Sequence, residues 1–286
     1  MNRTDVMFQK AAERNESCLM IYLPSIGPDL VRSNELVDMF IESGVDYIEL
    51  GTPGGAPWLD GTPMQKNHLQ SHQTGIDAIK ALELGAAIRQ RHPDFPILPM
   101  LYTSVVVRMG IERFIEKLLE AGMDGVELPD YPSYRMYDPL GYHKAMRDKG
   151  LYNINFCDGI SLAEEGTPQY DLMQRIVTDV DGFLFLTATP GVTGATGGVN
   201  VAYLSKAVAR IRQVMDAANK MKPIMVGFGL TTPEDVYKTT QEIQADAVVV
   251  GSAITRLIQN GTPLEKIGES LRALKDATLN RPEITF

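Results

Sequence analysis

The stretch YIELGTPGGAPWLDGTP (47–63) joins a short hydrophobic strand to a long loop rich in glycine and proline. Side chains alternate along a strand, so Ile48 and Leu50 face one way while Glu49 faces the other. The apolar pair suits packing against a helix layer, which leaves Glu49 on the inner side of the sheet. The loop then carries a second carboxylate, Asp60.

Similar short runs of strand-forming residues recur along the chain, and segments with helical spacing of apolar residues separate them. The eight runs are CLMIYLP (18–24), YIELG (47–51), PILPMLY (96–102), DGVELPD (124–130), YNINFC (152–157), GFLFLT (182–187), PIMVGF (223–228) and DAVVVGS (246–252). The intervening helical segments include residues 30–44, 110–122 and 199–220. Alternation of this kind predicts βαβ units and a parallel sheet.

Eight such units in about 250 residues are the number and size of a (β/α)8 barrel. We therefore predict an α/β fold, a single TIM-barrel domain over residues 1–286. The segment VMFQKAAERN (6–15) predicts an extra N-terminal helix that closes the bottom of the barrel. A doubly wound sheet with a small appendage is the alternative, and it leaves two strands unexplained.

Composition and charge narrow the class of protein. The formal net charge is −9 and no basic run stands out, which argues against a nucleic-acid partner. The two cysteines, Cys18 and Cys157, cannot form a disulfide scaffold, and a buried thiol is the expected state of Cys157. The segment at 1–17 lacks the apolar run typical of a signal peptide, and no stretch approaches the roughly 18 apolar residues of a membrane span. We expect a cytoplasmic protein with no membrane partner.

Three glycine-rich pieces, GVTG (191–194), GFG (227–229) and GSA (251–253), lie at or beyond the ends of the last three predicted strands. Glycine there lets backbone N–H groups approach an anion, and SAITRLI (252–258) predicts a short helix whose positive end lies at the same place. Barrel enzymes bind phosphate with these parts, on the face that carries the active site. A phosphorylated small molecule is therefore the expected ligand, held by backbone dipoles although the chain is acidic.

The sequence resembles the tryptophan synthase α-subunit family. The motifs that carry the resemblance are YIELGTP…LDGTPMQ, PILPMLYTS, AGMDGVELPDYP, the GVTG loop, VGFGLTTPEDV and ADAVVVGSAI, in family order between about residues 18 and 258. The resemblance implies a TIM barrel that cleaves indole-3-glycerol phosphate to indole and glyceraldehyde 3-phosphate by a retro-aldol reaction, without a cofactor or a metal. It implies that Glu49 is the general acid and base and that Asp60 stabilises the ring cation.

The resemblance also implies the remaining site residues. The phosphate-binding positions correspond to Gly194, Gly229, Gly251 and Ser252. The expected substrate pocket, in which Thr193 is the lid threonine, consists of Tyr22, Met100, Tyr102, Glu127, Phe185, Thr193 and Phe228.

Two departures from the family pattern bear on partner and substrate. The loop that usually reads PFSDP is PGGAP here, and Ala56 cannot form the family's ion pair with a β-subunit. A β-like subunit or a homo-oligomer stays possible, with the coupling in doubt. Glu127 stands where the family has leucine against the indole, and an ionised glutamate there would cost several kcal/mol without a partner. Glu127 either pairs with Asn155, Thr103 or a loop residue, or indicates a more polar ring than indole.

Two other functions stay open. The first is a barrel enzyme acting on a different phosphorylated compound, by aldol condensation or isomerisation. The second is a non-catalytic regulatory subunit, against which the intact Glu49 and Asp60 argue. His68 and His72 have metal-ligand spacing, but without a third ligand nearby we interpret them as a solvated helix face. Asp130 is expected to tie down its own loop.

Overall fold

The fold is taken from a computed structural model of the chain. It describes residues 1–24, 30–54, 57, 59–131, 138, 140–187, 199–227 and 229–280, apart from the side chains at 30–32 and 63. Gly194, Thr193 and Phe228, which the sequence places in the site, lie outside the described residues, and so does Ala56.

Within the described residues, eight parallel strands pair in chain order and close into one barrel, because the first strand also pairs with the last. The strands are β1 Cys18–Leu23, β2 Tyr47–Gly51, β3 Ile97–Met100, β4 Gly125–Glu127, β5 Tyr152–Cys157, β6 Leu184–Thr187, β7 Ile224–Gly227 and β8 Ala247–Val250. All eight predicted runs contain a strand. The predicted (β/α)8 barrel is therefore confirmed.

Helices follow the strands and surround the barrel. They are α1 Arg3–Glu13, α2 Leu30–Glu42, α3 Thr62–Gln73, α4 Ala78–Arg91, α5 Thr103–Met109, α6 Ile111–Glu120, α7 Tyr142–Asp148, α8 Pro168–Thr178, α9 Val201–Ala217, α10 Pro233–Tyr237, α11 Ser252–Gln259 and α12 Leu264–Asp276. A π-helical turn, Lys238–Glu242, continues α10. In the part of the chain that the structure describes, none of these helices could cross a membrane.

The predicted N-terminal helix is present but begins at Arg3, three residues before the predicted start. The Asn2 side chain explains the earlier start, since it accepts a hydrogen bond from the Thr4 backbone N–H and caps the helix. Phe8 of α1 packs on Phe183 in the barrel interior, with ring centroids 5.6 Å apart. The helix thereby closes the end of the barrel that lies away from the carboxyl ends of the strands.

The predicted alternation along β2 is also confirmed. Ile48 and Leu50 belong to the apolar cluster between the barrel and its helices, whereas Tyr47 belongs to the cluster that fills the barrel interior. Val126 and Leu128 likewise join the outer cluster. Burying an aliphatic side chain of this kind contributes about 1.5–3 kcal/mol, so the outward packing fixes which side chains of each strand point inward.

Candidate functional site

A cleft opens at the carboxyl ends of the strands, with about 420 Å³ of space between its walls that includes its solvent-open mouth. Four strands, the loops after β2 and β7, the helix α3, and Gly251 and Ser252 at the start of α11 line it. The lining residues are Tyr22, Glu49, Asp60, Met64, Met100, Gly229, Leu230, Val249, Gly251 and Ser252. Glu49 and Asp60 therefore share one cleft with three of the predicted phosphate-binding residues, Gly229, Gly251 and Ser252.

Glu49 reaches the cleft from the inner side of β2. It lies opposite Tyr22 on one neighbouring strand and Leu98 on the other, and only 4% of it is exposed. Burial, followed by the nearby charge of Glu127, raises the pKa of Glu49 well above its usual range. A glutamate that keeps its proton near neutral pH can act as a general acid.

Glu127, the last residue of β4, is fully buried in the barrel interior and is not part of the cleft lining. The Tyr47 hydroxyl donates a hydrogen bond to its Oε1. Burial raises the pKa of Glu127 to about 7, while hydrogen bonds from Glu49 and Tyr47 act in the opposite direction. The sequence anticipated inward-facing Glu127 but not its partner.

The partners suggested from the sequence are engaged elsewhere. Asn155 donates to the backbone carbonyls of Ile176 and Asp179 at 2.8 and 3.0 Å. Thr103 donates to Asp130 through its N–H at 2.9 Å and its hydroxyl at 2.8 Å. Pairing of Glu127 with Asn155 or Thr103 is therefore wrong, whereas the expectation that Asp130 ties down its loop is confirmed.

Glu49 and Glu127 interact directly through their carboxyl groups. When both groups are ionised, Glu127 Oε2 has no hydrogen-bond donor within the described part of the chain, although it is completely buried. Two carboxylates cannot donate to each other, so the contact is favourable only when one of them carries a proton. The interior of this barrel thus holds a proton-dependent pair of acids directly behind the cleft.

Asp60 reaches the cleft from the loop between β2 and α3, and it is 2% exposed. Its side chain is hydrogen-bonded to the Tyr102 hydroxyl, which in turn accepts the backbone N–H of Leu59 at 3.1 Å. The Gln65 side chain donates to the Asp60 backbone carbonyl at 2.8 Å. These hydrogen bonds fix both the backbone and the side chain of Asp60. The role of Tyr102 in the site is thus to position Asp60.

His68 on α3 also holds Asp60, and our interpretation of it as a solvated residue is wrong. It is 3% exposed, and its Nε2 lies 3.1 Å from Asp60 Oδ2. Its Nδ1 accepts the backbone N–H of Gly54 at 3.0 Å. Because Nδ1 accepts, the proton of the neutral ring is on Nε2, which donates to Asp60. His72, one turn later, is exposed.

Opposite the acids, Gly251 leads directly into α11, and Ser252 is its first residue. The first N–H groups of a helix have no partner within it, and they carry the positive end of the helix dipole. Gly229 adopts φ +90°, a left-handed conformation that favours glycine. This corner can accept an anion through backbone groups. Gly194, the remaining predicted phosphate-binding residue, lies outside the described residues.

The cleft wall between the acids and this corner is apolar. Sequence reasoning named Tyr22 and Met100 but missed three further lining residues, Met64, Leu230 and Val249. Val249 could have been found, because alternation along β8, which ends at Val250, turns it inward. The other two lie on a helix and a loop, where no pattern of period two applies.

Tyr22 and Phe185 show how the interior is packed around the cleft. A Cβ atom at Gly51 would lie 2.2 Å from the Tyr22 hydroxyl, so glycine makes the space for this ring. The hydroxyl forms no well-aligned hydrogen bond with described residues, although the Asn67 amide lies close to it. Phe185 is fully buried, stacks on Phe156 with centroids 4.5 Å apart, and does not line the cleft.

The family model described as tryptophan synthase alpha chain matches residues 8–280. The tryptophan synthase alpha chain of Zymomonas mobilis is 32% identical over 97% of this chain and 98% of that chain. The corresponding chain of Geobacter sulfurreducens is 30% identical over 98% and 100%.

Solved structures show the same similarity in three dimensions. A structure of Mycobacterium tuberculosis tryptophan synthase superimposes with a TM-score of 0.80 at 25% identity, covering 97% of this chain and 98% of that chain. The tryptophan synthase alpha chain of Legionella pneumophila superimposes with a TM-score of 0.78 at 25% identity and covers 97% of both chains.

Proposed function

Because the chain belongs to the tryptophan synthase alpha chain family, a family of carbon–carbon lyases, we propose that it cleaves indole-3-glycerol phosphate or a closely related aryl glycerol phosphate. The products are the free ring and glyceraldehyde 3-phosphate. One observation carries this proposal: Glu49 and Asp60 line the same cleft as Gly251 and Ser252 at the start of α11. A phosphorylated substrate can therefore contact both acids while its anionic end lies at the helix.

The reaction requires two proton transfers, and in this proposal Glu49 performs both. Its protonated carboxyl group gives a proton to the ring carbon that bears the side chain, which leaves a positive charge on the ring. The resulting carboxylate then takes the proton of the side-chain hydroxyl. The bond between ring and side chain breaks, its electrons return to the ring, and an aldehyde forms. Positioned proton transfer of this kind typically contributes 10²–10⁴-fold to the rate.

Asp60 accepts the ring N–H and stabilises the positive charge. His68 and Tyr102 hold its carboxylate in one orientation before the substrate binds, so little reorganisation is needed when the charge develops. Met64, Met100 and Val249 supply the apolar surface that a flat aromatic ring needs.

The phosphate binds at the opposite corner, through the backbone N–H groups at the start of α11 and around Gly229. Neutral donors suit this chain, whose net charge is −9. They bind the anion without placing a basic side chain beside Glu49, where it would favour the ionised form.

The direct test is an assay of aldehyde release from indole-3-glycerol phosphate, read by coupled oxidation of the glyceraldehyde 3-phosphate. We expect E49Q and D60N each to lose about 10²–10⁴-fold in kcat, while E265Q, which changes an exposed glutamate of α12, keeps the wild-type rate. A wild-type protein that binds inorganic phosphate but releases no aldehyde would overturn the substrate assignment. E49Q with wild-type kcat would overturn the role of Glu49.

Tryptophan synthase alpha chains generally pair with a beta subunit, so a β-like partner fits the family. We propose that such pairing is weak here, because Ala56 cannot supply the ion pair that the family uses. Gel filtration of the chain with and without a tryptophan synthase beta subunit tests this. A stable complex, or an aldehyde-release rate that rises when the subunit is added, would contradict it. A cytoplasmic location remains a prediction from the sequence.

A further inference from the structure

We propose that Glu127 is the proton-sharing partner of Glu49: one proton is held between the two buried carboxyl groups, and Glu127 thereby sets how tightly the acid that meets the substrate keeps its proton. Glu127 is a positioning residue in this scheme, because it does not line the cleft. The catalytic part of the inference rests on the proposed function. The shared proton itself does not.

The geometry of Glu127 carries the inference. The side chain is completely buried, yet among the described residues only one of its oxygens has a donor, the Tyr47 hydroxyl on Oε1. A buried carboxylate oxygen without a donor destabilises the folded protein, because it has lost its water and gained no hydrogen bond in return. A proton on the neighbouring Glu49 carboxyl group supplies that donor.

The barrel explains why these two residues meet. Inward-pointing residues of a (β/α)8 barrel stack in layers contributed by alternate strands. Glu49 comes from β2 and Glu127 from β4, on either side of β3. They lie opposite Leu98 and Met100 respectively, which are successive inward positions of β3. The tilt of the strands brings the two carboxyl groups to one level, where neither can turn outward through the helix layer.

The surroundings of the pair favour sharing over double ionisation. Within the described residues, the ionisable groups that face it from the neighbouring elements are tyrosines and carboxylates. They are Tyr22 of β1, Tyr47 of β2, Asp60 of the loop after β2, and Asp124, which precedes β4 and acts on Tyr47. The negative charge of Asp60 opposes the loss of the shared proton, whereas Asp124 is ion-paired with Arg3 and Arg89. Burial raises the pKa of both members of the pair, in the same direction.

The arrangement serves the two halves of the reaction. Before the chemistry, Glu49 is the protonated member and Glu127 the acceptor, so an acid is present at a pH where an ordinary glutamate is ionised. After Glu49 gives its proton to the ring carbon, two carboxylates face each other. This makes Glu49 a stronger base for the hydroxyl proton that it must take next. The proton returns to Glu49 when the aldehyde forms, and the pair is restored.

Two variants should shift the pH at which the pair loses its shared proton, in opposite directions. Glu127→Gln removes the neighbouring negative charge and should shift the alkaline limb of the kcat/KM profile to lower pH, by about one unit or more. Tyr47→Phe removes the donor that stabilises ionised Glu127, so the shared proton is held more tightly and the same limb should shift to higher pH. A merely structural role would lower activity in both variants without shifting the limb.

A second readout needs no substrate. Infrared spectra of the wild-type protein should contain a carboxylic-acid C=O band that persists above pH 6.5, where ordinary carboxyl groups of about pKa 4 are ionised. The band should disappear at lower pH in E127Q and at higher pH in Y47F, and isotope-edited glutamate assigns it. E265Q, the exposed control, should titrate like the wild type.

The outcomes separate the two proposals. A wild-type band that titrates with the ordinary carboxyl groups overturns the shared proton, whatever the enzyme cleaves. A persistent band in a protein without lyase activity overturns the proposed function and leaves the shared proton standing. If E127Q fails to fold, as judged by circular dichroism, Y47F and E127L supply the same comparison. The inference would be overturned if Y47F and the wild type had the alkaline limb of the kcat/KM profile at the same pH, or lost the carboxylic-acid band at the same pH.

Discussion

The imidazole of His68 connects the backbone of the β2 loop to a carboxylate of the site: Nδ1 accepts the Gly54 N–H at 3.0 Å, and Nε2 lies 3.1 Å from Asp60 Oδ2. The ring therefore has one tautomer and one orientation. Asp60 is held from the helix that follows it, so the position of this loop carboxylate does not depend on the substrate alone.

Replacing His68 should weaken transition-state stabilisation more than substrate binding. A hydrogen bond to a charged group contributes about 1.5–3 kcal/mol, so we expect H68L to lose about 10- to 100-fold in kcat with a smaller change in KM. H68Q, which can still donate to Asp60, should recover part of the rate.

The chain offers a matched control for this experiment in His72, an exposed histidine one turn later on the same helix. H72L should behave as the wild type in steady-state assays. A kcat for H68L within twofold of the wild type would show that Tyr102 alone positions Asp60.

The Glu127 carboxyl group should make the protein less stable as the pH rises. Its pKa in the folded protein is about 7, against 4.5 for an exposed glutamate. Between these values the native state binds more protons than the unfolded state, so the free energy of unfolding falls with increasing pH. E127Q should therefore gain stability relative to the wild type from about pH 5 to pH 8, by about 1–3 kcal/mol.

Thermal or urea unfolding of both proteins across this pH range measures the effect, with E265Q as the exposed control. Any decrease of the unfolding free energy with pH that remains in E127Q is due to Glu49, because the pKa of Glu49 is also raised. A constant difference between E127Q and wild type over the whole range would contradict a titrating Glu127.

A negative charge at Ser252 should separate helix stability from phosphate binding. S252D adds a carboxylate at the start of α11, where the helix dipole stabilises anions by about 0.3–1 kcal/mol. The same charge repels a phosphate, so we expect KM to rise about tenfold or more while the melting temperature stays equal or rises. S252A, which keeps the backbone N–H groups, is the matched control. Calorimetric titration with inorganic phosphate checks the binding directly, and unchanged affinity in S252D would place the phosphate elsewhere.

Gly51 should tolerate no side chain while Tyr22 is present. A Cβ atom there would lie 2.2 Å from the Tyr22 hydroxyl and 2.4 Å from Cζ of the ring. We expect G51A to lose about 1–3 kcal/mol of stability through overpacking, and to lose activity because the displaced ring enters the cleft. The double-mutant cycle with Y22L measures the coupling. Strict additivity of the two changes would mean that the ring moves away without cost.

The sequence was sufficient for the barrel because its strands obey a simple rule. Alternation placed Ile48 and Leu50 toward the helices and turned Glu49 and Glu127 inward, as observed. Alternation predicts the side of the sheet on which a side chain lies, but not which side chains of other strands it contacts. The contact between Tyr47 and Glu127 crosses an intervening strand, and it depends on strand tilt and register, which no local pattern encodes.

The misinterpretation of His68 has a different physical cause. In α3 the buried face is largely polar, with Asn67, His68 and Ser71 almost inaccessible to solvent, while Leu69 is 58% exposed. Hydrophobic periodicity detects helices that pack against an apolar core. It fails for a helix that turns a polar face toward a site, because the partners of that face are other polar groups.

The helix α1 gives the amino-terminal segment an influence far from its own position. Phe8 packs on Phe183, Phe183 contacts Tyr47 with ring centroids 6.0 Å apart, and Tyr47 donates to Glu127. A continuous column of side chains in contact thus runs from the end of the barrel that α1 closes to the buried carboxyl groups of Glu127 and Glu49. Truncating the first helix, or fusing a tag that displaces it, would let water enter from below and change how the distant carboxyl groups ionise.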